Sequence, residues 1–139
     1  MKIRARVENS EGRHEAVVST NGQAQQIPIP PKQSGFGSAA NGGELLFLAL
    51  ATCYCNDIYR EASKRGIVVQ QVEVEVEGDF GGPGEPPLNI NYGAKVTADA
   101  SKEEIEALMR YTDTVAEIQN SLRRPIPVTL DKVEAVTTQ

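Results

Sequence analysis

The chain has 139 residues, a formal net charge of −5, and 40% apolar but only 5% aromatic content, a balance that fits one domain spanning residues 1–139 of a cytoplasmic protein. The longest charge-free apolar stretch, Leu45 to Cys55, is far short of the roughly 20 residues that cross a bilayer, and Met1 to Ser10 holds no secretory apolar segment, so a membrane role is not expected. No basic run exceeds Arg123-Arg124, and one histidine with two cysteines leaves too few ligands for most zinc sites, so neither nucleic-acid binding nor a metal cofactor is expected.

Ile3, Ala5 and Val7 alternate with Arg4, Arg6 and Glu8, the period of a half-buried strand. A turn at Asn9 to Gly12, a strand from His14 to Thr20, an Asn21-Gly22 hairpin turn and a strand from Ala24 to Ile29 complete an antiparallel β-meander. Pro28, Pro30 and Pro31 remove backbone donors, and the Gly, Ser and Ala of Gln33 to Gly43 mark a loop. From Glu44 to about Arg65 no Gly or Pro intervenes, and Gly66 stands where a left-handed cap ends a helix. The first half of this helix, Leu45 to Ala51, is apolar on every face and must be covered on all sides. It is expected to be a long buried central helix, at the middle of the fold or between two subunits of a homodimer. The second half carries Asp57, Arg60, Glu61, Lys64 and Arg65, and Asp57 reads as the start of a solvated face.

Val72, Val74 and Val76 alternate with Glu73, Glu75 and Glu77 in a strand with one wet face. Gly78 to Pro87 is a long turn, and its glycines lack the strand and helix context of a dinucleotide site. Leu88, Ile90, Tyr92, Ala94, Val96 and Ala98 form one face of a partner strand, which makes a β-hairpin. Ser101 to Glu104 matches a capping box, and Ile105, Leu108, Met109, Thr112 and Val115 give the stripe of a second helix. Ile126, Val128 and Leu130 alternate in a closing C-terminal strand bracketed by Pro125 and Pro127. The fold class is therefore α+β.

Few side chains can carry chemistry. Cys53 reads either as a small apolar packing group or as a nucleophilic thiolate. It lies nine residues after Glu44, beyond the reach of its own helix dipole, so activation requires a cation from Arg4, Arg6, Arg13, Arg123 or Arg124. Cys55 diverges from it by about 200° around the helix and cannot pair with it. Glu44 is explained by the amide donors at the helix start, and a carboxylate orienting an arginine toward the sulfur is its second reading.

The segment Gly42-Gly43-Glu44-Leu45-Leu46-Phe47-Leu48-Ala49-Leu50-Ala51-Thr52-Cys53-Tyr54 resembles the OsmC/Ohr family pattern, in which Pro-x-Glu-Leu-Leu leads through Leu-Ala-Ala-Leu-Ala-Ala to the first cysteine. Lys64-Arg65-Gly66-Ile67, the alternating valine strand ending in Gly78, and Asn120-Ser121-Leu122 extend the resemblance over nearly the whole chain. It implies an OsmC-like α+β fold in which two chains interlock as a homodimer. It also implies thiol-dependent reduction of organic hydroperoxides, with Cys53 at the position of the first cysteine and Arg13, after Gly12, as the activating cation. The family glutamate and proline align with Gly43 and Gly42, and the second cysteine, usually followed by proline, falls at Ala116-Glu117. With no resolving thiol, the sulfenic acid needs an external thiol reductant. The resulting expectation is a one-cysteine peroxidase with Cys53, Arg13 and Glu44 as catalytic residues, no cofactor, and an apolar entrance lined by Leu46, Phe47, Leu50 and Met109. The alternative is a non-catalytic dimer of the same fold that binds a small apolar or acyl ligand in that cleft.

Overall fold

The computed structural model describes residues 1–138 and orders them as β1 (Ile3–Ser10), β2 (Arg13–Thr20), β3 (Gln23–Gln26), α1 (Gly42–Lys64), β4 (Val68–Asp79), β5 (Leu88–Asp99), α2 (Lys102–Val115) and α3 (Glu117–Leu122). The chain divides into two compact units, Met1–Leu48 and the part from Ala49 onward.

The first unit is built by its turns. Asn21 and Gly22 both take positive φ, 49° and 84°, the twist that a two-residue hairpin needs to pair right-twisted strands. The sheet has the order β1-β2-β3, antiparallel throughout, with Ile3 opposite Thr20 and Thr20 opposite Gln23. β3 stops earlier than the alternation suggests. The Ile27 amide still donates to the Ala16 carbonyl at 2.9 Å, but Pro28 and Pro30 have no amide to continue the ladder. β1 is exposed along its whole length, so the apolar face predicted for it is uncovered in the single chain. At the start of α1 the Glu44 amide donates to Asn41 Oδ1 at 2.8 Å, while the Asn41 amide donates to Glu44 Oε1 at 2.9 Å. This reciprocal cap satisfies two of the donors a helix start leaves open.

In the second unit, α1 lies against the β4–β5 hairpin and α2. Tyr54, Ile58, Ala62 and Leu108 form the core, with Val72, Val74, Tyr92, Ala94, Val96 and Met109 packed on it. The register places Val72 opposite Val96, Val74 opposite Ala94 and Val76 opposite Tyr92, leaving Glu73, Glu75 and Glu77 on the wet face. Register shifts at Val69/Gln71 and Glu77/Asp79 and a positive φ at Asn89 interrupt the pattern at the hairpin's ends. Leu88, assigned to the inner face by alternation, is exposed beyond the second of these shifts. Gly66, at φ 66°, closes α1 as predicted: the Ile67 amide reaches back to Ala62 O at 3.0 Å and the Gly66 amide to Ser63 O at 3.2 Å. The capping box of α2 is equally direct, with Glu104 N donating to Ser101 Oγ and Ser101 N to Glu104 Oε2.

Within the single chain the burial of α1 departs from its apolar pattern, and further expectations change. The buried residues of α1 are Leu50, Tyr54, Asp57, Ile58, Glu61 and Ala62, mostly in its charged second half, while Leu48 in the apolar first half is 60% exposed. The hairpin and α2 cover the second half, whatever its sequence polarity. Asp57, read as solvated, is 6% exposed. Finally, residues 125–138 form no strand: Ile126, Val128 and Leu130 are exposed, because Pro125 and Pro127 cannot donate and no described strand pairs with them.

Leu108 is completely buried, so Leu108→Ala should destabilise the protein by about 2–5 kcal/mol. Leu130→Ala, 84% exposed, should change stability by less than about 0.5 kcal/mol. Urea unfolding at one fixed protein concentration measures both.

Candidate functional site

On a helix, residues three and four apart stack on one face. That spacing places Asp57 one turn beyond Cys53 and Arg60 and Glu61 one turn beyond Asp57. The Cys53 thiol donates to Asp57 Oδ2 at 3.4 Å. A second carboxylate arrives from the α2–α3 junction, where Ala116, extended at φ −76° and ψ 108°, ends one helix and caps the next. The bend brings Glu117 Oε2 to 3.7 Å from the sulfur as a second acceptor, and the Ile118 backbone amide favours the ionised sulfur.

Arg60 ties these groups together. Its Nη1 contacts Asp57 Oδ1 at 3.0 Å and Glu117 Oε1 at 2.9 Å, its Nε donates to Glu61 Oε1 at 2.8 Å, and its Nη2 donates to the Val115 carbonyl at 3.4 Å. Lys64 Nζ completes the charge around Glu61 at 3.0 Å. A buried carboxylate without a partner is costly, and here one guanidinium meets the two buried ones, Asp57 and Glu61, together with the exposed Glu117. The Gln119 side chain anchors α3 to α1 by donating from Nε2 to the Leu50 carbonyl at 2.9 Å. Because that carbonyl can only accept, the amide orientation is fixed, and Gln119 Oε1 is left without a partner among the described residues.

Burial raises the Cys53 thiol pKa above its ordinary value; the Ile118 amide acts against this, and the hydrogen bond to Asp57 and the negative charges of Asp57 and Glu117 act with it. Burial likewise raises Asp57, helped by the neighbouring Glu117 and opposed by Cys53 and Arg60. Glu117 is held below the usual carboxylate range, first by its own backbone amide, with Asp57 and Arg60 also lowering it. At neutral pH the resting sulfur therefore carries its proton, and the ionisable side chains acting on it in this unit are both acidic. The sulfur and the two carboxylates lie within 4.8 Å of one another, a spacing that would suit a cation, but the guanidinium already supplies the positive charge between the carboxylates.

Of the other sequence-predicted residues, Arg13, Glu44, Leu46 and Phe47 belong to the Met1–Leu48 unit, and Leu50 and Met109 to the unit that holds Cys53. Arg13, at the start of β2, pairs with Glu15 at 3.4 Å. Glu44 caps α1 through its reciprocal pair with Asn41. Leu46 and Phe47 are half-buried in the Met1–Leu48 unit. Leu50 lines a cleft of about 370 Å³ with Ile90, Gln119 and Leu122, whereas Met109 lines a different cleft of about 500 Å³ with Tyr54, Tyr92 and Arg110. Cys55 lies on a separate pocket with Ala51, Asn56 and Val74, in keeping with its divergence from Cys53. Sequence reading missed Asp57, Arg60 and Glu117. The four-residue spacing from Cys53 to Asp57 was a usable signal for the first, and for Glu117 the signal was its place beside Ala116, where the family's second cysteine aligns.

Residues 35–131 match the family described as OsmC-like protein. No curated protein matches the chain. Among solved structures, it is similar to an OsmC-like protein from Mycoplasma pneumoniae, with 15% identity over 86% of this chain and 87% of that one and a TM-score of 0.60. An organic hydroperoxide resistance protein OsmC from Legionella pneumophila shares 19% identity over 88% and 90% of the two chains, with a TM-score of 0.53. An OsmC-like hydroperoxide resistance protein from Jannaschia sp. CCS1 shares 14% over 86% of each, also at 0.53. Identities this low speak for the fold, and the match over residues 35–131 for the family: this chain belongs to the OsmC-like family.

Proposed function

We propose that the chain is a one-cysteine thiol peroxidase, in which Cys53 reduces an organic hydroperoxide, becomes a sulfenic acid and is restored by an external thiol. The observation that carries this reading is the polar setting of Cys53. A cysteine kept for packing sits among apolar groups. This sulfur instead meets two carboxylates and a backbone amide, with a guanidinium holding both carboxylates. The hydroperoxide-resistance names of two structural relatives support the substrate class. Ala116 offers no sulfur to Cys53, which is why the reductant is external.

Arg13 as an activating cation, Glu44 as its orienter, and Leu46, Phe47, Leu50 and Met109 as substrate contacts belong to the same proposal, as does a cytoplasmic location. So does the homodimer. Its support is the apolar surface the single chain leaves open at Ile3, Val7, Phe36 and Leu48. No helix is long and apolar enough to cross a membrane.

The second reading, a non-catalytic dimer that binds an apolar or acyl ligand, is favoured by the raised Cys53 thiol and by Ala116. Turnover separates the two. With dithiothreitol as reductant, wild type should consume cumene hydroperoxide, Cys53→Ser should fall to background, and Cys55→Ser should keep most of the activity. Equal background rates for wild type and Cys53→Ser would leave only the ligand-binding reading.

In the Cys55→Ser protein, the pH dependence of iodoacetamide alkylation should show Cys53 titrating above the roughly 8.5 of free cysteine. The thiolate fraction at pH 7 should accordingly be smaller than that of a free thiol. A titration well below that value would mean that Arg13 ionises the thiol already at rest, rather than acting on the charge that develops on sulfur during attack.

A further inference from the structure

A thiol that rests protonated must lose its proton to attack a peroxide, and the leaving alkoxide must gain one. The groups around Cys53 address both needs. The acceptor nearest the thiol is Asp57 Oδ2, at 3.4 Å against 3.7 Å for Glu117 Oε2. Asp57 is one turn along the same helix, so backbone geometry fixes the contact, whereas the Glu117 side chain is largely exposed and comes from another helix. The Ile118 amide favours charge on the sulfur. Arg60 sits on the far oxygen of Asp57, leaving Oδ2 to the thiol.

The geometry points to Asp57 as the proton acceptor of Cys53, taking the thiol proton as sulfur attacks and passing it to the leaving oxygen. The inference rests on the peroxidase reading given above. In the step, sulfur attacks the terminal oxygen of R–O–OH. The S–O bond forms, the O–O bond breaks, sulfur is oxidised by two electrons, and the peroxide is reduced to R–OH. The proton leaves sulfur for Asp57 Oδ2 and then joins the alkoxide, so that Cys–SH and ROOH become Cys–SOH and ROH. Between the two transfers the Ile118 amide faces the charge on sulfur, and Arg60 remains paired with Glu117 and Glu61 while Asp57 is neutral.

The titration directions agree with this division of labour. In the carboxylate pair Asp57 is raised, chiefly by burial, and Glu117 is lowered, chiefly by its own amide, so a proton given to the pair rests on Asp57. The charged groups acting on the thiol–Asp57 couple are Glu117 from α3 and Arg60 from α1, with Glu61 and Lys64 behind Arg60. A carboxylate that only raised the thiol pKa would be an obstacle to catalysis. One that takes the proton is an aid.

These two roles predict opposite effects for Asp57→Asn, which keeps an oxygen acceptor for the thiol but removes the charge and the base. Two quantities are read: the thiol pKa from iodoacetamide alkylation, and the single-turnover rate of Cys53 oxidation by cumene hydroperoxide, from mass spectrometry of the dimedone-trapped sulfenic acid. The relay predicts a lower thiol pKa together with oxidation at pH 7 slowed by about tenfold or more, since general acid–base catalysis typically contributes 10²- to 10⁴-fold. Oxidation as fast as wild type or faster overturns the relay and leaves the peroxidase reading standing. Absence of Cys53 oxidation in wild type overturns both.

If far-ultraviolet circular dichroism shows that Asp57→Asn does not fold, the wild-type pH profile decides. With the relay, the rate rises as Asp57 loses its proton and then levels off below the thiol pKa. A rate that climbs about tenfold per pH unit up to the thiol pKa reports reaction through free thiolate alone and overturns the proposal.

Discussion

The guanidinium of Arg60 is the contact on which the chemistry of this chain depends. Asp57 and Glu61 are both nearly inaccessible to water, and two ionised carboxylates in that position would each cost several kcal/mol without a partner. Arg60 reaches both, and adds Glu117 from a separate helix. Removing it would leave like charges packed together around a thiol. The same interaction fixes where α3 meets α1, since Arg60 also holds the Val115 carbonyl at the end of α2. Fold and site thus share one residue, and their energetics cannot be separated by a single substitution.

The junction at Ala116 gives that contact its consequence. An uninterrupted helix from Lys102 to Leu122 would carry Glu117 along the same axis as α2. The extended backbone of Ala116 breaks that line and delivers Glu117 and the Ile118 amide to the sulfur. The alignment with the family's second cysteine falls on this residue, beside the one side chain of the segment that touches Cys53. A carboxylate next in sequence meets the sulfur where the family resemblance led one to expect a thiol. Cys53 consequently meets carboxylates at this place rather than a second sulfur.

A second polar chain stiffens the other side of the core without touching the sulfur. Tyr54 donates to the Met109 carbonyl at 2.8 Å and meets the Tyr92 ring edge-on, and Tyr92 donates to Asp113, which Arg123 also binds. Burial raises Asp113, but the hydrogen bonds from Tyr92 and Arg123 outweigh it and hold the carboxyl below its ordinary value. Tyr54 itself is pushed up to about 12, mainly by burial. Burial, with Asp113, raises Tyr92 as well, so both phenols stay neutral donors across the physiological range and act as struts between β5, α1 and α2.

Local signals in the sequence determined most of the elements. The Asn21-Gly22 turn, the Gly66 cap, the Ser101 capping box and the alternation of Val72 to Val76 each depend on neighbours a few residues away, and each appears as read. The helix pattern leading to Cys53 also identified the family. What only the tertiary structure decided depends on distant partners: burial fell on the charged half of α1 because the hairpin and α2 cover that half, and the alternating C-terminal segment found no edge to join. The site follows the same division. Cys53 was legible from the helix, but its hydrogen-bond acceptors were not, because charge patterning marks Asp57 as solvated and the family alignment leads one to expect a thiol, not a carboxylate, from the segment at residues 116–117. Periodicity records what a segment prefers, whereas the ionisation of a side chain depends on which charges the folded chain sets around it.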